Sequence, residues 1–317
     1  MIDYKPVIQN LSTINGVLVD VLRLDLLHPE ISGNKWFKLK YNIEAAIKNN
    51  HKGILTFGGA HSNHIAATAA ACKLSGLSSK AFIRGELSAE LTPTLIFARS
   101  QGMEFEFLSR ENYAFRNSKE GIQLLKLQQP DFWIVPEGGA NKEGILGCTE
   151  ILTSEMDHDF VFCACGTAAT YTGLVMAAKD KQVIVGINIL KGNNELVNNV
   201  NENLKELGYE ASVTGKGELE MGRHFMTDRF AFKGYATFNQ ELVQFKKQFE
   251  AQFPIPLDHV YTVKVFFGAQ NMFTQEKMQP GSRVLIVHTG GLQGNAGFEE
   301  RYAKQLELSG SADHDEV

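Results

Sequence analysis

Lys35 is the residue of this sequence whose type and setting most directly suggest chemistry. It follows Gly33 and Asn34, two residues that favour turns, and apolar side chains at helical spacing come after it. The positive end of a helix dipole disfavours the charged form of a lysine at such a junction. A neutral lysine amine is a nucleophile and can form a Schiff base with a carbonyl group. By itself the pattern is more typical of a solvated surface lysine, so other segments must decide.

A second segment with chemical potential is a turn of small and hydroxyl residues between an apolar run and a helical pattern. It consists of Gly166, Thr167, Ala168, Ala169 and Thr170. Small residues let backbone N–H groups approach a phosphate, and hydroxyls add donors. The turn matches neither G-x-G-x-x-G nor a Walker A loop, so neither a dinucleotide nor a nucleoside triphosphate is indicated. A tight turn with capping threonines would have the same pattern.

A third segment contains Ser62 and Asn63 between two histidines, at the start of an alanine-rich helical pattern. Asn63 could bind a ligand or simply cap the helix. His61 and His64 lie three residues apart, but no third ligand accompanies them, so no metal site is predicted.

Three isolated polar residues complete the candidates. Thr289 follows the last predicted strand, where its hydroxyl could hydrogen-bond a ring nitrogen or cap a turn. Tyr235 and Tyr261 lie in a less regular region, and most such tyrosines are half-buried packing residues. None of the three identifies a site by itself.

Composition excludes several classes of function. The 317 residues are 44% hydrophobic and 21% charged, with a net charge of −5, and no basic block indicates nucleic acid as a partner. No apolar run approaches the roughly 18 residues of a membrane span, and the first residues lack the pattern of a signal peptide. The four cysteines form no metal-ligand pattern and are predicted to be buried free thiols, which favours the cytoplasm.

Strand and helix patterns alternate along most of the chain, which predicts an α/β fold with parallel sheets. Apolar strands end in glycine-containing turns at residues 58–59, 138–139, 166 and 290–291. In open parallel sheets, ligands bind beyond the carboxyl ends of the strands, where such turns lie. We therefore predict one site assembled from distant segments.

Taken together, the segments resemble the fold-type II pyridoxal-phosphate (PLP) enzymes, and specifically the group of 1-aminocyclopropane-1-carboxylate deaminase and D-cysteine desulfhydrase. The matching segments cover about residues 15–295 and are Gly33-Asn34-Lys35 with Lys38, Gly59 with Ser62-Asn63-His64, Glu137-Gly138-Gly139 with Asn141 and Gly144, Gly166 to Thr170, Gly234-Tyr235, Val260-Tyr261-Thr262 with Lys264, and His288-Thr289-Gly290-Gly291. One such segment would be weak, whereas the ordered set is specific.

The resemblance implies a tryptophan synthase β-like fold. This is an α/β fold with two open, twisted, mostly parallel sheets and flanking helices, with a small domain inserted in a larger one. Residues 1–48 and 157–307 would form the large PLP-binding domain, 49–156 the small inserted α/β domain, and 308–317 a frayed tail. Family members, like most soluble oligomers, are expected to be homodimers.

The resemblance also implies how the cofactor, pyridoxal 5'-phosphate, would be held. Lys35 would form the Schiff base and later move protons on the substrate carbon. The turn from Gly166 to Thr170, with Lys38, would hold the phosphate. Asn63 would hydrogen-bond the phenolic oxygen, and Thr289 would face the pyridine nitrogen.

On the substrate side, the same resemblance implies that Ser62 meets the carboxylate or the reacting carbon. Tyr261 would lie against the cofactor ring, and Tyr235 would reach the substrate. With Lys35, these are the residues expected to be catalytic. A threonine at the ring nitrogen favours elimination over transamination, because it stabilises a protonated ring less than a carboxylate would.

The sequence departs from the family at positions that bear on the substrate. Trp36 and Phe37 stand where the family usually has a small or polar residue and an arginine, and His61 replaces a glutamine. Ring-opening deaminases tend to carry Glu and Leu at the positions of Thr262 and Thr289, so this hydroxyl pair favours the desulfhydrase side.

We therefore expect a PLP-dependent lyase that performs β-elimination on a small amino acid, as D-cysteine desulfhydrase does, giving a 2-oxo acid and ammonia. One alternative is ring-opening deamination of 1-aminocyclopropane-1-carboxylate. An alternative of another class is a protein that binds PLP without turnover. A nicotinamide dehydrogenase is less favoured because the glycine fingerprint is missing.

Overall fold

The structure is a computed structural model that describes residues 2–86, 90–215, 224–275 and 278–311. Its strands are β1 (Ile8–Ile14), β2 (Val17–Arg23), β3 (Gly53–Gly59), β4 (Ser78–Arg84), β5 (Glu104–Leu108), β6 (Phe132–Ile134), β7 (Phe160–Cys165), β8 (Val183–Asn188), β9 (Phe225–Thr227) and β10 (Arg283–His288). Its helices are α1 (Asn34–Lys48), α2 (Asn63–Leu74), α3 (Pro93–Ser100), α4 (Arg110–Arg116), α5 (Lys119–Gln128), α6 (Lys142–Cys148), α7 (Ala169–Ala177), α8 (Asn193–Glu206), α9 (Gln240–Gln252), α10 (Thr262–Gln275), α11 (Asn295–Arg301) and α12 (Ala303–Ser311).

The larger sheet runs in the order β1-β2-β10-β7-β8-β9. Strand β1 pairs antiparallel with β2, and the other pairs are parallel. Its central strands β7 and β8 read as almost continuous apolar runs, and every residue in both is buried. Such runs are typical of parallel strands that helices cover on both faces.

Alternate residues of β7 and of the neighbouring strand β10 point into two separate hydrophobic clusters. Phe162 and Ile286 face one side of the sheet, where they join a cluster with side chains of α9 and α10. Their neighbours Val161 and Leu285 face the other side, with α7 and α8. This two-residue period follows from the pleat of a strand and explains why both faces are apolar.

The smaller sheet has the order β5-β4-β3-β6, and all its pairs are parallel. It is built from residues that lie between β2 and β7 in the chain. Two mostly parallel sheets with flanking helices are thus present, which confirms the predicted fold class. The assignment of residues 49–156 to an inserted domain stays a prediction.

Several element boundaries differ from those that the sequence predicts. The pattern after Asn141 predicts a helix over residues 142–155, but α6 ends at Cys148. Thr149 Oγ1 donates to Leu146 O at 2.7 Å, which closes the helix end. Helices α4, α5, α8, α11 and α12 and strands β1 and β9 are not predicted at all. Helix α12 continues to Ser311, and the rest of the predicted tail, 312–317, lies outside the described residues.

Within the described ranges, no helix combines the length and the apolar character needed to cross a membrane.

The two sheets meet at the carboxyl ends of their strands. The turn after β3 contacts the turn after β10, because Asn63 Nδ2 donates to Gly291 O at 3.1 Å. The turn after β6 contacts the turn after β7, where Gly138 lies against the Thr167 side chain. The glycine-containing turns therefore surround one region, as expected for a ligand site in this class of sheet.

Gly33 makes the closest approach in this region. It has φ +71° and ψ −147°, a combination that side chains essentially exclude. A Cβ added here would lie 1.9 Å from Thr289 O, so the start of α1 is held directly against the turn after β10. The Asn34 N–H donates to the same carbonyl at 3.2 Å.

We expect Gly33→Ala to destabilise the protein by more than about 4 kcal/mol, because it combines backbone strain with a clash against backbone atoms. Gly76→Ala is a matched control, since Gly76 has φ +70° but nothing within 4 Å of an added Cβ. That change should cost only about 1–2 kcal/mol, for the left-handed backbone alone. Urea denaturation measures both, and equal losses would contradict the contact.

Candidate active site

Lys35 is the second residue of α1, directly after the close contact of Gly33. Its side chain is half-buried, and its amine donates to Asn34 Oδ1 at 2.7 Å. Burial, and then the charge of Lys38, lower the pKa of Lys35 to about 7. No carboxylate among the described residues lies within ion-pair distance of this amine. A large fraction of it is therefore neutral near pH 7, as a nucleophile or a base requires.

Lys38 and Asn34 connect α1 to the turn before α7. Lys38 is buried, its amine lies 3.4 Å from Thr167 Oγ1, and burial lowers its pKa. Asn34 Nδ2 donates to Thr170 Oγ1 at 2.8 Å. Between the two hydroxyls, Ala168 has a left-handed φ of +59°, which turns the chain into α7. Because the first amides of a helix lack intrahelical partners, this turn offers an anion both backbone N–H donors and the Lys38 amine.

Two consecutive glycines with positive φ follow β6 of the smaller sheet and leave space beside this turn. A Cβ on Gly138 would lie 2.9 Å from Thr167 Cγ2, and one on Gly139 would lie 3.1 Å from Lys38 Cβ. A larger residue at either position would therefore press on the residues that face the turn.

Ser62 and Asn63 lie where α2 begins. Ser62 is the N-cap residue, and its half-buried hydroxyl makes no capping hydrogen bond. Asn63 Oδ1 is buried and has no hydrogen-bond partner within the described part of the chain. An unpaired buried acceptor is unfavourable, so a hydroxyl of a bound ligand at this point would stabilise it.

His64, the next residue, is buried beside the two lysines. Its Nε2 lies 2.8 Å from Thr56 Oγ1, and that hydroxyl donates its only hydrogen to Val135 O. Nε2 therefore carries the proton, and the buried Nδ1 is left as an unpaired acceptor. Burial, and then the charges of Lys35 and Lys38, lower the pKa of His64 well below its usual range. His64 thus adds no positive charge to the region.

Two tyrosines lie against the same turn from the larger sheet. A Cβ added at Gly166 would lie 3.2 Å from Tyr261 Cε1, so that ring packs on the start of the turn. The Tyr235 ring stands edge-on to the Tyr261 ring, with centroids 6.1 Å apart, and is 43% exposed. Burial raises the pKa of both phenols, so both hydroxyls remain protonated donors at neutral pH.

Asp258, which sequence reasoning missed, fixes the position of Tyr261. Its carboxylate accepts the N–H groups of Val260 and Tyr261 at 2.9 and 2.7 Å. It also accepts the N–H and the hydroxyl of Thr262 at 2.8 and 2.7 Å. The Thr262 hydroxyl is therefore used at the start of α10, so only Thr289 of the predicted hydroxyl pair is left to face a ligand. An aspartate side chain often accepts N–H groups two and three residues further on, and this local turn pattern could have revealed Asp258.

Lys264 was part of a matching segment but had no assigned role. It is only 2% exposed, and its amine donates to Ile189 O, Ala231 O and Gly234 O at 3.1, 2.9 and 2.8 Å. Burial lowers its pKa to about 8. These bonds fix the chain directly before Tyr235. Because all three acceptors are backbone carbonyls, no side-chain pattern in the sequence indicates them.

The three residues that depart from the family pattern lie in three different surroundings. Trp36 and Phe37 are buried in two different hydrophobic clusters, so neither presents a surface to a ligand. His61 is exposed and lies against α11, where a Cβ on Gly297 would be 2.4 Å from its Nδ1. The expectation that Trp36 and Phe37 select the substrate is therefore not supported. In the described residues, no group of three side chains is placed to bind a metal ion.

The structure brings the predicted site residues into one contiguous region. They are Lys35, Lys38, Ser62, Asn63, Gly166, Thr167, Ala168, Ala169, Thr170, Tyr235, Tyr261 and Thr289. The region combines a nucleophilic amine, an anion-binding turn, two protonated phenols and an unpaired amide oxygen. Such a set can hold an aromatic phosphate at the turn and act as a base beside it.

We expect Lys35→Met to change how the stability of the cofactor-free protein depends on pH. The pKa of about 7 in the folded state lies below the 10.5 of an ordinary lysine. Between these values the unfolded chain holds the proton and the folded chain does not, so this lysine makes the wild-type free energy of unfolding rise with pH. The advantage of the variant over wild type should be complete below about pH 7 and should shrink toward about pH 10. Urea denaturation at several pH values checks this, and exposed Lys73→Met, as a control, should show a constant difference.

The chain has clear relatives among known proteins. It is 30% identical to a putative 1-aminocyclopropane-1-carboxylate deaminase of Pyrococcus abyssi, over 96% of this chain and 95% of that protein. It is 26% identical to a mitochondrial protein of Arabidopsis thaliana named bifunctional D-cysteine desulfhydrase/1-aminocyclopropane-1-carboxylate deaminase, over 88% of this chain and 74% of that protein. A crystal structure of an ACC deaminase homologue superposes with a TM-score of 0.78 and 27% identity, covering 97% of this chain and 94% of that one. Residues 7–290 match the family described as pyridoxal-phosphate dependent enzyme, and the chain therefore belongs to this family of PLP-dependent enzymes.

Proposed function

We propose that this enzyme catalyses β-elimination on a small amino acid, with D-cysteine as the reference substrate. Water and D-cysteine would give pyruvate, hydrogen sulfide and ammonia. The observation that carries the proposal is the Lys35 amine, whose pKa burial lowers to about 7, at the centre of the region where both sheets meet. Relatives named D-cysteine desulfhydrase support the reaction class, including one from Klebsiella pneumoniae that is 24% identical over 92% of this chain.

The residues present fit the cofactor of this family. The turn from Gly166 to Thr170 and the buried Lys38 amine offer donors for a phosphate, and Lys38 already lies near Thr167. The unpaired Asn63 Oδ1 suits a ring hydroxyl. When bound, PLP would link to Lys35 and would withdraw the electron pair that an amino-acid substrate leaves on its α-carbon.

In the proposed mechanism, Lys35 removes the α-proton of the substrate. Its low pKa favours this role because a neutral amine can accept a proton near pH 7. Asn34 Oδ1 accepts a hydrogen bond from the Lys35 amine, which orients it. Ser62, whose hydroxyl makes no capping bond, would bind the substrate carboxylate together with the first N–H groups of α2.

The tyrosines would act on the other side of the substrate. Tyr261 packs on Gly166 and would cover the bound ring, and Asp258 holds its backbone in place. Tyr235 is the more exposed phenol and would donate a proton to the group that leaves the β-carbon. Thr289, buried beside Gly33, would face the ring nitrogen.

Ring-opening deamination of 1-aminocyclopropane-1-carboxylate to 2-oxobutyrate and ammonia is the second candidate. The names of the Pyrococcus abyssi relative and of the structural neighbour favour it. The use of the Thr262 hydroxyl by Asp258 also weakens the sequence argument against it.

We expect Lys35→Ala to lose the visible absorbance of lysine-bound cofactor and to reduce elimination by at least about a thousandfold, because both the linkage and the base are removed. Lys48→Ala, an exposed change in the last turn of α1, is the matched control and should keep both properties. Borohydride reduction followed by peptide mass analysis should place the cofactor on Lys35. A variant that keeps the absorbance and the activity would refute the assignment.

A substrate panel separates the candidates. We expect the wild-type enzyme to release pyruvate and sulfide from D-cysteine faster than 2-oxobutyrate from 1-aminocyclopropane-1-carboxylate. The reverse order would make the deaminase the correct function. Cofactor binding without 2-oxo acid release from amino acids of either hand would indicate a protein without turnover.

For assembly and location we propose a homodimer in the cytoplasm. Two-fold dimers are the commonest symmetric oligomers. Four free buried cysteines are usual where thiols stay reduced. Light scattering and cell fractionation would test the two statements separately.

A further inference from the structure

Arg84 is a cation at the edge of the proposed site for which the mechanism has no use. It is the last residue of β4 and pairs in register with Gly59, the last residue of β3. Its Nη2 would be 4.0 Å from a Cβ on Gly59, so the guanidinium lies over this glycine. The side chain is exposed, and it forms no ion pair or hydrogen bond with another described residue.

Ser62 lies on the other side of the same glycine turn. Its N–H donates to Gly59 O at 3.0 Å, and a Cβ on Gly58 would lie 2.9 Å from its hydroxyl oxygen. The guanidinium of Arg84 and the hydroxyl of Ser62 therefore flank one short turn. A substrate whose carboxylate is held at Ser62 would extend within reach of Arg84.

The position of the guanidinium is also set by its neighbours. It lies over the ring of Tyr113, 5.8 Å from the centroid, and Tyr113 packs edge-on against Phe57 at 6.1 Å. Across the opening, the charge of Arg84 acts on the Tyr235 phenol and opposes the raised pKa of that group. Arg84 therefore faces the substrate side of the region rather than the turn that would hold the phosphate.

Two acids also act on the Tyr235 phenol, namely Asp258, whose carboxylate accepts backbone N–H groups before α10, and Glu137, which acts on Tyr113 as well. Glu137 is not within ion-pair distance of Arg84. Its carboxylate accepts from Asn117 Nδ2 at 3.4 Å, and its N–H donates to Asn117 Oδ1 at 3.3 Å. A guanidinium that has no carboxylate partner among the described residues, and that lies on an aromatic ring beside a substrate-binding turn, is suited to bind an anion.

We infer that Arg84 binds a second anionic group, carried on the side chain of the substrate. The enzyme thus prefers amino acids whose β-substituent ends in a carboxylate or a phosphate over neutral ones of the same size. This inference rests on the proposed β-elimination and specifies its substrate class. Both anions use the same chemistry, a bidentate contact with the guanidinium.

The test compares serine esters that differ in their distal charge. O-succinylserine and O-acetylserine, each in both hands, lose their acyl group as a carboxylate, and only the first carries a second anion; O-phosphoserine tests phosphate. Wild-type holoenzyme should have a higher kcat/KM for an anionic ester. Arg84→Met should lower that value about 10- to 100-fold and change O-acetylserine by less than about threefold, as expected for loss of charge-assisted hydrogen bonds.

Arg116→Met is the matched control. Arg116 also lies over an aromatic ring, that of Phe82 at 4.7 Å, but it is near Glu106 at 3.7 Å. This variant should keep the preference for anionic esters. Arg84→Gln, which keeps a polar side chain, should behave like Arg84→Met if the charge is what matters, and cofactor absorbance and thermal midpoint report whether each variant folds.

A binding readout separates this inference from the proposed function. Malonate should bind the holoenzyme more tightly than acetate, and Arg84→Met should remove that difference in calorimetry. If no ester is eliminated but malonate keeps its Arg84-dependent advantage, the proposed reaction fails and the anion site stands. The inference is wrong if wild type shows no preference for anionic esters, or if Arg84→Met lowers kcat/KM equally for all esters. In either case Arg84 does not bind the side chain of the substrate.

Discussion

No carboxylate of the described residues lies within ion-pair distance of the amines of Lys35 and Lys38, and this is the constraint on which the rest of the structure depends. A buried ammonium without a partner is unfavourable, and the protein meets this by lowering the pKa of both lysines rather than by pairing them. Asn34, Thr167 and the neutral His64 supply only uncharged groups around them. In the described part of the cofactor-free site, no negatively charged side chain is paired with either amine. A bound phosphate would supply such a partner.

Such an arrangement needs a scaffold that holds the lysines against their preference for water. The scaffold depends on close contacts at glycines, where an added Cβ would clash with a neighbouring segment. Gly33 against Thr289 fixes the start of α1, and Gly138 against Thr167 joins the smaller sheet to the turn before α7. These contacts restrict the relative positions of segments that are far apart in the chain. Arg84 and Ser62 flank the turn at Gly58 and Gly59. The arrangement of the strand ends that positions Lys35 therefore also positions the groups proposed to contact the substrate side chain.

The sequence predicted the parts of this architecture that have a local pattern. Apolar runs followed by glycine turns gave the parallel sheets and the place where their strand ends meet, and Lys35 was correctly expected at a loop-to-helix junction. Contacts without a local pattern could not be predicted. The bonds of Lys264 depend on tertiary structure, and so does the packing of Trp36 and Phe37 in the core. The roles of the site residues remain predictions.

The hydrogen bonds of Lys264 affect which residues of the loop before Tyr235 can be replaced. The three bonds go to main-chain carbonyls of Ile189, Ala231 and Gly234, which every amino acid possesses. This part of the support for the loop before Tyr235 therefore does not depend on the side chains of the loop. These three bonds would therefore persist when an exposed side chain of the loop, such as Lys233, is replaced, so such a position can vary without loss of this support.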